Sequence, residues 1–509
     1  MSFLVRSYHS VIRIRETRLL LVLLAVALVV QVVYFVRIQS IYPPSGLTTE
    51  QYYSPLALNL LHHGVYGTGE YPDIEETTKR PPFYSIVLAG AYGVFGEDER
   101  VGLLMNNLFL WLTIIVVYLI GRKLGPMVGL IAALLFVLDP VGVINANKNQ
   151  AGALYGLLIA LFLLATIKSF SPSVTLRSTL TSSLILGLAT FTRASSLYLG
   201  FPLALAFFAV HRWLFRRLSL SRILLLTLAL FSIQALIVGG WMIRNNAVSG
   251  TPEFAGMSSI HLYNFYVPLV VAKEQGIPFS DAKANLASEL KSDPDYLSIE
   301  SAGERGSYVI RKSIGLILKN PIPAGLVLLE QAPVVFLNYP QNAASLFLGD
   351  ERRESLQNYL SDYVHTRSSR LDISGYPTLA RHYISGGYGL LLLHGIAYKL
   401  FYLLFMVSGV VGMVLLIRNR ITRAQGILYV VVIAYTVLVF STWPSGRLRM
   451  GILPMYSVVA AYSAIWFWNL SLSKLITTAL ARFPVAVLAK VAPSRGDAQS
   501  ASTERDKSA

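Results

Sequence analysis

The chain has 509 residues, of which 54% are hydrophobic and only 14% are charged. Soluble domains carry about 25% charged residues, so this composition excludes an ordinary soluble globular enzyme. The apolar residues form blocks of roughly 18 to 22, the length that a helix needs to cross a bilayer, and they predict an all-α polytopic membrane protein.

The basic residues favour membrane insertion over nucleic-acid binding. The formal net charge is +16, and basic surfaces often bind phosphate backbones. Here the basic clusters lie between apolar blocks, near residues 13–18, 212–222 and 418–423. Such placement is typical of cytoplasmic loops, so no nucleic-acid partner is expected. The chain has no cysteine, which excludes a disulfide framework, a thiolate metal site and a cysteine nucleophile.

The apolar blocks predict about ten membrane spans. In chain order, they lie near residues 19–37, 102–120, 126–141, 151–168, 179–192, 196–211, 223–242, 396–417, 424–441 and 451–468. The amino terminus is predicted to be cytoplasmic, because the first block follows basic residues and no small-residue cleavage site follows it. Alternate crossings then place the basic loops on the cytoplasmic side of the inner (plasma) membrane.

This topology predicts four regions. They are an amino-terminal transmembrane region at 1–242, an extracytoplasmic region at 243–395, carboxyl-terminal transmembrane helices at 396–470, and a cytoplasmic tail at 471–509 that is predicted to be disordered from about residue 494. The first outer loop, at 38–101, belongs to the first region. The apolar run 324–337 either lies at the membrane interface or forms an eleventh span. A full span is disfavoured, because it would move the basic cluster at 418–423 outside.

In the first outer loop, residues 47–66 predict an amphipathic helix along the outer membrane interface, capped by Thr48 or Thr49 and stopped by Gly64. Glu50 lies in its first turn and shares a face with Tyr53, three residues on. A carboxylate beside a phenol can activate and orient a hydroxyl nucleophile. The alternative is that Glu50 only complements the positive end of the helix dipole.

Two cations follow in the same loop. Lys79 and Arg80 precede Pro81 and Pro82, and consecutive prolines predict an extended backbone that would hold both cations in place. Cations at the headgroup level can bind a lipid-linked phosphate. The alternative is ordinary snorkelling of long basic side chains at the interface.

Six short motifs occur in a fairly specific order and spacing. They are Tyr53-x-x-x-Ala57-x-Asn59-Leu60-Leu61-x-x-Gly64-Val65-Tyr66, Arg80-Pro81-Pro82-Phe83-Tyr84, Tyr92-x-x-Phe95-Gly96, Gly187-Leu-Ala-Thr-Phe-Thr-Arg193, Trp241-Met-Ile-Arg244-Asn245, and Arg447-Leu-Arg449 before Pro454. Over about residues 15–470, the chain resembles the bacterial relatives of protein mannosyltransferases and the lipid A aminoarabinose transferase. These are GT-C fold glycosyltransferases that use polyprenyl-phosphate sugars.

The resemblance implies a GT-C-like bundle of about 10–11 transmembrane helices with extracytoplasmic loops, and a definite reaction. An outward-facing cavity would bind the polyprenyl-phosphate sugar, and the partners would be this donor, membrane lipids and an envelope glycan, lipid or protein acceptor. A loop carboxylate would act as base on the acceptor hydroxyl, with inversion at the sugar. Cations would stabilise the departing lipid phosphate.

The sequence departs from the family at both acidic positions. The aspartate usually found four residues before the tyrosine is Thr49 here, and Glu50 is the substitute. The second acid, early in the fourth span, appears as Asn149 or Gln150, and Asp139 is the other candidate. An acid so close to the hydrocarbon tends to be functional or paired. Glu50 and Asp139 are therefore the predicted catalytic residues.

Four arginines complete the predicted substrate site. Arg193, Arg244, Arg447 and Arg449 all map to the outer ends of spans, against the inside bias of positive charge. The guanidinium fork suits bidentate phosphate binding, and snorkelling to lipid headgroups is the alternative. With Tyr53, Lys79 and Arg80, they form the predicted substrate-binding set.

Three functions stay open on this evidence. The first is a membrane glycosyltransferase, and the second is a non-catalytic GT-C-like protein, which the two missing acids favour. The third is a lipid or glycolipid transporter, which the near absence of ionisable residues inside the spans disfavours. No cofactor is certain, and no metal ligand is assigned. A divalent metal is left open by five carboxylates of the loop, although their spacing matches no ligand motif; they are Glu50, Glu70, Asp73, Glu75 and Glu76.

Overall fold

The computed structural model describes residues 2–41, 53–256, 261–337, 348, 376–442 and 446–482. Within these residues the regular structure is helical apart from two short strands, Gly67–Thr68 (β1) and Glu75–Glu76 (β2), which pair antiparallel. The predicted fold class, an all-α polytopic membrane protein, is confirmed.

Nineteen α-helices can be followed along the described residues. The first ten are α1 (Ser2–Ile41), α2 (Tyr53–His63), α3 (Phe83–Phe95), α4 (Glu99–Arg122), α5 (Pro126–Val137), α6 (Pro140–Ala146), α7 (Gly152–Ser169), α8 (Leu176–Thr192), α9 (Gly200–Ala209) and α10 (Leu220–Ser249). The others are α11 (Val267–Gln275), α12 (Phe279–Lys291), α13 (Pro294–Leu297), α14 (Ala302–Lys319), α15 (Pro321–Leu337), α16 (Tyr376–Ser385), α17 (Gly389–Arg418), α18 (Arg423–Ser441) and α19 (Leu453–Arg482).

Seven helical segments among the described residues are long and apolar enough to cross a membrane. They are Glu16–Ile41, Glu99–Arg122, Gly152–Ser169, Ala194–Phe215, Leu220–Ser249, Gly389–Arg418 and Arg423–Ser441. Two bent helix pairs raise the number to nine if each pair is one span. The α5–α6 pair bends by 60°, and α14 meets α15 at 99°.

Every predicted span falls on a helix. Seven coincide with the segments above, and the other three fall on the α5–α6 pair, on α8 and on α19. The α5–α6 pair is broken at Asp139, whose carboxylate accepts a hydrogen bond from the Val141 amide at 3.2 Å and caps α6. Pro140 follows at the first helical position, where its missing N–H removes no helical bond.

Glycines allow close helix contacts in the bundle. A Cβ atom on Gly121 would lie 2.8 Å from the Cα of Gly129, where α4 meets α5. A Cβ atom on Gly412 would collide with the carbonyl oxygen of Val459, where α17 meets α19. Small residues at such positions let helix backbones approach closely in lipid, where packing drives helix association.

The first loop folds into two short helices joined by the β1–β2 hairpin. α2 ends at Gly64, whose φ of +68° stops the helix as predicted, while the predicted start of this helix lies outside the described residues. The predicted extended backbone across the two prolines is wrong at Pro82, whose φ of −88° and ψ of −13° are helical. Pro82 adopts this conformation because α3 begins directly after it, and the fixed φ of proline suits a helix start.

The bundle has two ends. The loop end carries residues 53–98, and the carboxyl ends of α8 and α10 pack against it through Phe83–Phe191 and Arg244–Thr77 contacts. The opposite end carries the connections 122–126, 169–176, 215–220 and 418–423. The membrane face that each end meets, the cytoplasmic amino terminus and the four predicted regions stay predictions.

Residues 262–317 build a small helical cluster of their own. Tyr263, Val267 and Leu286 are buried in it. Asp293 caps α13 and accepts hydrogen bonds from Lys312 Nζ and the Tyr308 hydroxyl, both at 2.7 Å. This cluster lies in the predicted extracytoplasmic region and gives it a core separate from that of the bundle.

Candidate functional site

The first predicted pair of substrate residues meets at the start of α2. Arg80 Nη1 donates a hydrogen bond to the Tyr53 hydroxyl at 3.2 Å, and the guanidinium carbon lies 4.9 Å from the centre of the Tyr53 ring. Tyr53 is buried and packs edge-on against Tyr84, with 4.9 Å between ring centres. Lys79 is exposed beside this pair. A phenol and two cations therefore share one corner of the loop end.

Arg244 joins α10 to the same loop. Its Nη2 donates to Glu76 Oε2 at 2.6 Å, and its Nη1 donates to the carbonyl of Thr77 at 2.7 Å. Its guanidinium carbon lies 4.9 Å from the centre of the Trp241 ring. Burial raises the pKa of Tyr66, and its protonated hydroxyl donates to the carbonyl of Arg80 at 3.2 Å. Arg244 thus fixes the loop segment that carries Arg80.

Four buried asparagines form a polar layer below the loop. They are Asn106 and Asn107 in α4, and Asn147 and Asn149 in the connection between α6 and α7. Asn106 Nδ2 donates to the Tyr84 hydroxyl at 2.9 Å and to the carbonyl of Lys148 at 2.8 Å. Asn107 Nδ2 donates to Asn147 Oδ1 at 3.1 Å. These bonds fix the 147–150 connection against α3 and α4.

Asn149 connects this layer to α2. Its Nδ2 donates to Ser54 Oγ at 3.4 Å and to the carbonyl of Glu99 at 3.3 Å. The close fit needs a glycine in α4, because a Cβ atom on Gly102 would collide with Asn149 Oδ1. Ser54, five residues after the first expected acidic position, therefore contacts Asn149, one of the two candidates for the second. Thr49 and Glu50 themselves lie outside the described residues.

Glu99 is a carboxylate at this junction that the sequence reasoning missed. It lies in the first turn of α4, and its Oε2 is buried without a hydrogen-bond partner among the described residues. An acid at a helix amino terminus is favoured by the helix dipole, so its position alone gave no functional signal. The functional signal in the sequence was clearer for Asn106 and Asn107 than for Glu99, because these two adjacent polar residues interrupt an apolar span.

Asp139 and Arg449 form a second, deeper cluster. Arg449 Nη2 lies 3.8 Å from Asp139 Oδ1, and the two side chains are 0% and 1% exposed. Arg449 Nη1 donates to the carbonyl of Phe336 at 2.5 Å, and the guanidinium carbon lies 4.7 Å from the Tyr402 ring centre and 5.5 Å from that of Tyr398. This arrangement encloses the Asp139 carboxylate, and α15 ends against the pair.

The remaining predicted arginines lie nearby but apart from these contacts. Arg193 caps the carboxyl end of α8, and its guanidinium carbon lies 5.9 Å from the Tyr155 ring centre. Tyr155 also touches the segment of Arg449, because a Cβ atom on Gly451 would lie 2.7 Å from its ring. The backbone of Arg447 belongs to the 3-10 segment Gly446–Gly451, and its side chain lies outside the described residues.

The described side chains hold no group of three or more His, Asp or Glu that could bind a metal ion. His62 instead lies 2.7 Å from Glu97, with both side chains about half exposed. Glu76, one of the loop acids, is paired with Arg244. The chemistry that the loop end offers is therefore a buried phenol, several cations, amide donors and the Glu99 carboxylate.

Comparison with known proteins identifies one family. Residues 79–237, less than a third of the chain, match the family described as dolichyl-phosphate-mannose-protein mannosyltransferase. The matched segment begins at Lys79, contains Arg80, Glu99, Asp139, Asn149 and Arg193, and ends in α10. A comparison with curated proteins finds no match.

Solved structures of low identity are also similar. The oligosaccharyltransferase AglB of Archaeoglobus fulgidus, in complex with an inhibitory peptide and a dolichol-phosphate, is 14% identical with a TM-score of 0.47, over 89% of this chain and 52% of that one. ArnT of Cupriavidus metallidurans, bound to undecaprenyl phosphate, is 17% identical with a TM-score of 0.35, over 83% of this chain and 77% of that one. The chain spans about half the length of the oligosaccharyltransferase.

The sequence motifs and the family match indicate the same family. The motifs from Arg80 to Arg193 lie inside the matched segment, in the order that the sequence analysis noted. The predicted resemblance to the protein mannosyltransferase family is confirmed over residues 79–237.

Proposed function

We propose that this protein is an integral membrane glycosyltransferase that transfers a sugar from a polyprenyl-phosphate-linked donor to a cell-envelope acceptor. The observation that carries the proposal is the contact of Ser54 with Asn149, next to the Arg80–Tyr53 pair. Asn149 and Arg80 belong to the family-matched segment, and Ser54 and Tyr53 precede it. The match of residues 79–237 to the family described as dolichyl-phosphate-mannose-protein mannosyltransferase supports this donor class.

The proposed reaction is an inverting displacement at the anomeric carbon. The acceptor hydroxyl attacks this carbon, so a new C–O bond forms while the C–O bond to the lipid phosphate breaks. The acceptor proton passes to a carboxylate, because a hydroxyl is a weak nucleophile near neutral pH. The lipid phosphate leaves as an anion and needs no acid if cations already face it.

We assign these roles to residues of the loop end. Glu50 is the proposed base, and Glu99 is the alternative, since its Oε2 is buried without a described partner. Lys79 and Arg80 are the proposed phosphate ligands, with Tyr53 orienting the Arg80 guanidinium. The sugar and the acceptor stay open between a glycan, a lipid and a protein.

Asp139 and the other arginines receive different proposed roles. Asp139 is a positioning residue for Arg449, because both side chains are buried and face each other. Arg244 is a positioning residue for the Arg80 loop through Glu76 and Thr77. Arg193 and Arg447 stay proposed ligands of the lipid phosphate. The reaction would take place outside the cytoplasm, with the amino terminus inside and the chain in the inner membrane.

Mass spectrometry of cell-envelope glycans tests the proposal. Four strains are compared: one with the intact chain, one without it, and two that carry Glu50→Gln or Glu70→Gln at matched membrane abundance. Glu70 is an exposed acid of the same loop and serves as the matched control. The proposal expects deletion and Glu50→Gln to remove the same sugar and Glu70→Gln to keep it.

The other outcomes are equally informative. If Glu50→Gln keeps the sugar that deletion removes, the base is elsewhere, and Glu99→Gln is tested next. If deletion changes no glycan, the transferase proposal fails. The second candidate, a non-catalytic GT-C-like protein, then moves ahead. It is favoured by Asn149 and Gln150, because one of these two amides, which cannot take up a proton, stands where the family has an acid.

A further inference from the structure

A cavity of about 700 Å³ lies at the end of the bundle opposite the loop end. It is bounded by the carboxyl ends of α4 and α7 and by the amino end of α8. Four cations line it: Arg122, Lys123, Lys168 and Arg177. None of the described residues that line the cavity is acidic.

One of these cations is neutralised inside the protein. Arg122 Nε lies 3.2 Å from Glu16 Oε1, and Glu16 is 6% exposed. Glu16 also accepts a hydrogen bond from the Tyr118 hydroxyl. Arg122 therefore joins α4 to α1, and its charge is balanced before any ligand arrives.

The other three cations have no such partner. The side chains of Lys123, Lys168 and Arg177 make no ion pair or hydrogen bond with the described part of the chain. All three are exposed. Like charges that line one concave surface repel one another and attract anions, so the cavity favours an anionic ligand.

The walls of the cavity identify the kind of anion. Leu119, Leu164 and Ala165 line it on the flanks of α4 and α7, and Leu119 is 36% exposed. Both helices are among the candidate membrane spans, so this apolar flank continues towards the hydrocarbon. A soluble phosphate would use only the cations, whereas a lipid would use the apolar flank as well.

We infer that this cavity binds the phosphate headgroup of an anionic membrane lipid, with an acyl or prenyl chain along the α4–α7 flank. The phosphate is held by Lys123, Lys168 and Arg177, two of which are compact ammonium charges and one a bidentate guanidinium. Thr175 and Thr181 line the same cavity and add hydroxyl groups to it. The site is separate from the proposed donor site at the loop end and stands on its own observations.

Native mass spectrometry of the purified full-length chain tests this inference. The protein is titrated with phosphatidylglycerol and, separately, with phosphatidylcholine. We expect one phosphatidylglycerol to bind with a Kd at least about ten-fold lower than that of phosphatidylcholine, because each cation near a membrane surface contributes to anionic-lipid binding. The combined variant Lys123→Gln, Lys168→Gln and Arg177→Gln is expected to lose this preference.

A matched variant separates the cavity from general surface charge. The combined variant Arg212→Gln, Arg217→Gln and Arg222→Gln removes the same charge from exposed positions at the same end, outside the cavity. It should change the Kd by less than about two-fold. A third variant, Lys123→Arg, Lys168→Arg and Arg177→Lys, keeps the charges and should keep binding, which shows that loss is not caused by misfolding.

Three results would overturn the inference. They are equal losses in the cavity variant and the matched variant, no loss in either, and displacement of phosphatidylglycerol by inorganic phosphate at about the same concentration. The last result would assign the cavity to a soluble phosphate. Lipid binding is read independently of any glycan, so this test and the test of the transferase proposal can fail separately.

Discussion

Arg244 and Arg449 each have a carboxylate partner near the loop end, but their surroundings differ. Arg244 and Glu76 are 25% and 50% exposed, whereas Arg449 and Asp139 are 0% and 1% exposed. Exposed ion pairs contribute about 0–1 kcal/mol to stability, because water and salt screen them. Breaking a buried pair by removing one partner costs about 3–5 kcal/mol, because it leaves an uncompensated charge. Burial, more than distance, therefore decides which arginine the fold depends on.

The largest effect is expected at the buried pair. Arg449→Leu should lower the free energy of unfolding by about 3–5 kcal/mol, since it strands Asp139 in an enclosed site. The combined variant Arg449→Leu and Asp139→Leu should recover much of that loss, because no lone charge remains. Thermal unfolding of purified protein in detergent compares the two variants. A double variant no more stable than the single one would show that the pair acts through something other than charge.

The next effect is steric and tests the close fit of Asn149 against α4. Gly102→Ala places a Cβ atom against Asn149 Oδ1 and should cost about 1–3 kcal/mol of stability by overpacking. Gly90→Ala in α3 is the matched control, because no atom lies within 4 Å of the position that its Cβ would take. The control should stabilise slightly, by about 0.5–1 kcal/mol. Equal unfolding temperatures for both variants would contradict the close fit at Asn149.

The ion pair between Lys312 and Asp293 is intermediate in exposure, and it extends the comparison to the effect of pH. The hydrogen bond from Lys312 lowers the pKa of Asp293 to about 2, with a further contribution from Tyr308. A carboxyl group whose pKa is lowered in the folded state stabilises the fold above its unfolded pKa of about 3.9. This stability is lost as the pH falls from about 4 through about 2. The difference in unfolding temperature between wild type and Asp293→Asn should therefore shrink over this range, and a constant difference would contradict the assignment.

The smallest effect on stability is expected at the exposed pair. Arg244→Gln should cost about 0–1 kcal/mol, because Glu76 can be solvated when it loses its partner. Its effect on the proposed reaction should be larger than its effect on stability, since Arg244 holds the loop segment that precedes Arg80. Unfolding temperature and envelope glycan content are measured on the same membranes. A large loss of stability would place Arg244 in the same class as Arg449.

The membrane helices were predictable from the sequence because each span is a mostly apolar block long enough to cross a bilayer, as at 223–242. Local sequence signals were also reliable where a single residue determines the backbone conformation. Gly64 ends α2 as expected. Pro82 was mispredicted because its φ fits both an extended chain and a helix start.

The site was less predictable, because its contacts join residues that are distant in the chain. Arg80 and Tyr53 were both selected, but their hydrogen bond depends on how the first loop folds back. Nothing in the local sequence links Asp139 to Arg449, and only the packing of the 3-10 segment against α6 brings them together. Glu50 and the side chain of Arg447 lie outside the described residues, so their roles stay predictions.

The most direct test of the central claim compares one cation from each end of the bundle. A strain that lacks the chain is complemented with Arg80→Gln or with Arg222→Gln at matched membrane abundance, and its envelope glycans are measured by mass spectrometry. Arg222 is an exposed cation at the opposite end and lies outside the cavity described there. The account predicts that Arg80→Gln fails to restore the sugar lost on deletion, whereas Arg222→Gln restores it. Full restoration by Arg80→Gln would contradict the assignment of the transfer reaction to the loop end.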